Sequence, residues 1–143
     1  MMFDYFYGQQ SEQYQFLQVP LMLIKEKEFK KLSGDAKILY SLLLNRTFLS
    51  IKNDWKDDQG RVYIYFTLEE IMEDLNCGKD KAVKSMKELK DIKLIESVRQ
   101  GLGKPNIIYV KNFATALKYI PESAVESLKS EKPTSRSRLF RLK

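Results

Sequence analysis

The chain has 143 residues, 43% of them hydrophobic, with 25 Lys and Arg against 19 Asp and Glu and a formal net charge of +6. That length suits one domain with a modest core, and no apolar run is long enough to span a bilayer. The chain has no histidine, which excludes Ser-His or Cys-His nucleophile pairs, an imidazole general base and any His-ligated metal.

The lone cysteine, Cys77, cannot form an internal disulfide and gives no sign of secretion. The start, M-M-F-D-Y-F-Y-G-Q-Q, lacks the basic end and apolar stretch of a signal peptide, so a cytoplasmic protein is expected. Charge is unevenly spread. Acidic residues collect at Glu69, Glu70, Glu73 and Asp74, and basic ones over Lys79–Lys111 and Lys129–Lys143. A basic region on a small domain is the footprint of a nucleic-acid binder, although a solvated lysine face gives the same signal.

In chain order, residues 1–15 are aromatic- and Gln-rich and read as an arm available to a dimer. Phe16–Ile24 is apolar and reads as extended, with Pro20 keeping it off a central strand. Ser33 is an N-cap and Asp35 lies in the first turn of a helix whose pattern runs over Ala36–Phe48. Ala36, Leu39, Tyr40 and Leu43 form its core face, while Ile38, Leu42 and Leu49 fall on the other side. A helix apolar on two sides needs two covers: the Phe16–Ile24 segment and a second subunit are the candidates. Asn53–Gly60 contains Asp54, Asp57 and Asp58 but not the spacing of a calcium loop, so it reads as a turn. No cofactor or metal is expected.

Val62–Phe66 is a strand of strong β-formers. Thr67 and Glu70 form a capping box for a helix carrying Leu68, Ile71, Met72 and Leu75, which Asn76-Cys77-Gly78 breaks. The next helix runs from Lys79 to about Ile92. Ala82, Met86, Leu89 and Lys93 line its inner stripe, and Asp80, Lys81, Lys84, Lys87, Glu88 and Asp91 lie opposite.

The segment R-Q-G-L-G-K-P-N-I-I-Y-V (99–110) contains a G-x-G-K but is not a nucleotide loop. Val98 stands where the first glycine belongs, Pro105 replaces the magnesium-binding hydroxyl, and a strand follows where a helix is required. It reads instead as a hairpin: a strand over Leu94–Arg99, a glycine-rich tip, and a return strand over Asn106–Lys111. After Glu122 the chain becomes Ser-, Lys- and Arg-rich and reads as a linker or tail.

Helix, strand, helix, short turn, helix and hairpin together predict an α+β fold, a winged helix-turn-helix with a small antiparallel sheet, spanning residues 16–121. The second helix of such a motif enters the major groove, and the hairpin, or wing, meets backbone or minor groove. Candidate DNA contacts are Lys79, Lys81, Lys84 and Ser85 at the outer face of that helix, with Lys87 on phosphate. Lys84 ranks first because it points away from the inner stripe. In the wing the candidates are Arg99 and Lys104 for charge, Gly101 and Gly103 for close approach, and Asn106 for a hydrogen bond or the turn itself. Lys87 is also spaced to pair with Asp91 on its own helix. No enzyme is expected. A promoter-binding regulator and a protein-interaction module remain open, because the fold by itself does not separate them from an initiator.

The strings Y-Q-F-L-Q-V-P-L-M-L-I (14–24), L-S-G-D-A-K-I-L-Y-S-L-L-L-N-R (32–46), N-D-W-K-D-D-Q-G-R-V-Y-I-Y-F-T-L-E-E-I (53–71) and R-Q-G-L-G-K-P-N-I-I-Y-V-K-N-F (99–113) add a resemblance. In these the chain resembles the N-terminal domain of RepA-type plasmid replication initiators of low-GC Gram-positive bacteria. The resemblance implies sequence-specific binding of double-stranded DNA at repeated sites (iterons) of a plasmid origin, as a homodimer. It also implies a separate C-terminal domain that engages host replication proteins, with the tail after Glu122 as the start of the linker. One departure is Lys93, where winged helices of this kind often carry a glycine in the left-handed conformation.

Overall fold

The computed structural model describes residues 2–8 and 14–115. Part of the expected N-terminal arm and all of the expected tail from residue 122 lie outside the described residues. Pro20 opens a short helix α1, Leu21–Lys25, followed by a 3-10 turn, Lys27–Phe29. The extended reading of this segment is corrected over Leu21–Ile24, while residues 16–20 carry no helix. A proline at the N-cap costs nothing, since the first N–H groups of a helix have no internal partner, and one helical turn buries both Met22 and Leu23.

Helix α2 spans Gly34–Lys52. The Ser33 hydroxyl accepts the Ala36 N–H at 3.1 Å as its cap. Ala36, Leu39, Tyr40 and Leu43 are wholly buried, as their spacing predicts. The helix continues past Phe48 to Lys52, and its inner face there carries the buried Thr47 and Ser50; Thr47 donates to the Leu43 carbonyl at 2.9 Å. Of the second stripe, Ile38 and Leu49 stay 43% and 50% exposed, and Leu42 is half-buried. Phe16, Leu21 and Met22 instead border a groove with Ser41, Leu44 and Phe48, about a quarter turn round the helix. The 16–24 segment therefore does not cover the Ile38–Leu42–Leu49 stripe.

The loop after α2 is organised by Asp57. Its carboxylate accepts the N–H groups of Gln59 and Arg61, the Arg61 guanidinium at 2.8 Å and the Tyr109 hydroxyl at 2.8 Å. Trp55, Tyr63, Tyr65 and Tyr109 stack edge and face around it. All this chemistry serves the turn, as the sequence suggests.

Strand β1, Ile64–Tyr65, leads to helix α3, Leu68–Leu75, whose Thr67–Glu70 capping box is complete. Asn76 ends α3 in the left-handed conformation (φ 50°), and helix α4 follows over Lys79–Asp91. Strands β2, Ile95–Val98, and β3, Ile107–Val110, form the hairpin. The sheet is antiparallel with order β1-β3-β2, pairing Ile64 with Ile108 and Ile95 with Val110. Leu23, Leu39, Leu43, Ile64, Ile71, Leu89, Ile95 and Ile108 meet in one core. The architecture is the α+β winged helix that the order of elements predicts. Its sheet and α2 hold α3, α4 and the hairpin in place.

Candidate nucleic-acid interface

Helix α4 has no side-chain cap, since Gly78 stands at its N-cap. Its orientation is set by Ala82, Ser85 and Leu89, all buried. Ser85 is only 1% exposed, so it faces the core and cannot reach a base edge; its assignment as a contact is corrected. Ser85 takes the inner place expected of Met86, which is half-buried. At about 100° per residue, that rotation keeps Asp80, Lys84, Lys87 and Asp91 on the outward face, as their spacing predicts, and moves Glu88 toward the side. Lys93 is exposed rather than on the inner stripe.

The side of α4 nearest α2 is occupied by structural bonds. The Glu88 carboxylate accepts the Ser33 N–H at 2.8 Å and the Ser33 hydroxyl at 2.9 Å, capping α2 from 55 residues away. The expectation that Glu88 lies on the open face is therefore corrected. Lys81 comes within 3.5 Å of Asp35 at the same helix end, yet remains at the surface. Lys87 pairs with Asp91 at 2.8 Å, and that hydrogen bond raises the Lys87 pKa above its ordinary value. Both members are exposed, so the pair is weak enough for a phosphate to compete with Asp91.

The wing leaves residues 99–106 exposed. Gly101 (φ 130°) and Gly103 (φ 78°) adopt backbone that residues with a Cβ rarely reach, and the Lys104 N–H closes the turn on the Gly101 carbonyl at 3.2 Å. Leu102, between the glycines, is fully exposed at the tip. Asn106 and Ser97 share a groove with Val83, Lys87 and Lys90 of α4, floored by Phe66 and Leu68. The fold thus brings Lys87 and Asn106 to one groove, while Arg99, Gly101, Gly103 and Lys104 occupy the tip beyond it. Lys79, Lys84, Arg99 and Lys104 join none of the ion pairs found among the described residues.

Sequence reasoning missed Lys90, Val83 and Ser97. The signal was the i, i+4, i+7 spacing of Val83, Lys87 and Lys90, which becomes a face only once Ser85 is known to be inside. Glu70 of α3 pairs with Arg46 of α2 at 3.0 Å, which ties one of the acidic residues of α3 to the scaffold. What remains is a set of exposed lysines on α4, of which Lys79, Lys84 and Lys90 join no ion pair among the described residues, next to a glycine-rich basic tip. Such a surface can hold phosphate oxygens with its lysines and place the outer face of a helix against base edges.

The family described as replication initiator protein A (RepA) N-terminus matches residues 15–123 of the chain. A curated relative, a 41 kDa protein of Lactobacillus helveticus, is 34% identical over 91 residues, which make up 64% of this chain and 26% of that protein. The chain therefore corresponds to about a quarter of that relative's length. Among solved structures, one described as the N-terminal domain of a DNA binding protein superposes with a TM-score of 0.63 at 39% identity, covering 78% of this chain and 85% of that one. A Rep-DNA complex gives 0.63 at 39% identity over 76% and 84% of the two chains. An MDR initiator gives 0.58 at 37% identity over 68% and 77%.

Proposed function

The chain belongs to the replication initiator protein A (RepA) N-terminal family, and we propose that it binds double-stranded DNA sequence-specifically at repeated sites of a plasmid origin. In this reading α4 enters the major groove and the wing meets the backbone or the minor groove. The observation that carries it is the exposed Lys84 and Lys87 face of α4, set beside a basic tip whose two glycines permit close approach. The solved relative described as a Rep-DNA complex supports the same reading. The domain acts by binding alone, without catalysis or cofactor. A C-terminal domain outside this chain engages host replication proteins. The chain works as a homodimer, and the open Ile38–Leu42–Leu49 stripe of α2 is the surface offered for it.

The test is competition measured by fluorescence polarisation. Repeat-containing origin duplex should outcompete random duplex by orders of magnitude at physiological salt. Equal affinity for both would sink the proposal.

A further inference from the structure

We infer that Val83 is a specificity-determining residue whose γ-methyls read the C5-methyl group of a thymine in the major groove. The inference rests on the DNA-binding reading above and deepens it. Val83 sits in the first half of α4 and is 47% exposed. Its neighbours on the open surface of the helix are charged: Lys79, Asp80, Lys84, Lys87 and Lys90. A β-branched residue is a poorer helix former than alanine or lysine, and here only partial burial offsets that. Val83 stands one turn before Lys87 and two before Lys90, at the edge of the groove that α4 shares with Asn106 of the wing. Cations therefore stand beside it on the helix, and the wing closes the other side.

The N-terminal part of a recognition helix is the part that reaches base edges. In the major groove only thymine presents a methyl group; guanine, adenine and cytosine present donors and acceptors. Valine has neither to offer, so any other base edge pressed against it loses water without gaining a partner. Val83 thus favours thymine by contact and disfavours the other bases by desolvation. Lys87 and Lys90 beside it supply affinity, and Val83 makes one position of the site selective.

The experiment begins with duplexes selected from a random-sequence library by the whole chain. Each thymidine of the selected duplex is then replaced singly by deoxyuridine, which keeps the base pair and removes only the methyl. We expect one position per bound protomer at which deoxyuridine weakens binding about fourfold, the worth of one buried methyl. Val83→Ala should bind the thymidine and deoxyuridine forms equally, with a melting temperature no lower than that of the wild-type chain. A purely structural valine would leave that discrimination intact in the variant. Wild-type indifference to every deoxyuridine, or discrimination that survives Val83→Ala, overturns the inference alone. A library that enriches no sequence overturns the DNA-reading function, and this inference with it.

Discussion

At the residue scale, the cations of the interface divide by what surrounds them. Lys84 projects from the outward face of α4, whereas Lys104 sits at the wing tip. Lys84→Ala should therefore abolish the preference for repeat-containing duplex. Lys104→Ala should weaken all duplexes alike and lower the salt slope of log K by about 1; titrations over a range of salt separate the two. Asp57 gives a prediction in pH. Partial desolvation alone would raise its pKa, but the hydrogen bonds from Arg61, Tyr109 and Gln59 outweigh it and hold the carboxyl at about 2, below its ordinary 3.8. A depressed carboxylate contributes stability that is complete above its unfolded pKa and disappears as pH falls through the folded one. Compared with Asp57→Asn, the wild-type chain should lose stability between about pH 4 and pH 2, and urea denaturation at the two ends of that window reads it. Contacts at this scale were only partly legible. Lys87 and Asp91 are neighbours along one helix, and their spacing alone predicts the pair. Glu88 bonds to Ser33, far away in the chain, and no local rule points to that.

At the element scale, caps and breaks follow from a few adjacent residues, so they can be read directly. Ser33, the Thr67–Glu70 box and the Asn76-Cys77-Gly78 break all fall where the sequence puts them. The short helix α1 is the exception. Its five residues are too few to show a period, and burial of Met22 and Leu23 against the rest of the core decides its form. The end of α4 is also informative. Lys93 follows the C-cap with φ 66°, performing in a strained backbone what glycine does freely. Lys93→Gly relieves a Cβ clash worth about 1–2 kcal/mol, less the entropy that glycine gains in the unfolded chain. A net gain of about 0.5–1 kcal/mol is expected, read as a higher urea midpoint at unchanged m-value.

At the scale of the whole molecule, the two apolar faces of α2 have different fates. One is the centre of the core; the other leaves Ile38 and Leu49 in solvent. If that stripe joins two copies, the double substitution Ile38→Glu and Leu49→Glu should convert a dimer to monomer in sedimentation velocity without lowering the melting temperature of the fold. A wild-type chain that sediments only as monomer at high concentration, with and without DNA, refutes the dimer. By itself the sequence determined the winged-helix order of elements, the caps, the glycine-rich wing and the inner face of α2. Each of those depends on periodicity or on residues within a turn of one another. Only the tertiary structure decided the rotation of α4 and the route of residues 16–24 along α2. Those depend on how separate elements share one core. A small serine can take a place that periodicity gives to methionine, and a glutamate can turn from solvent to a distant helix end.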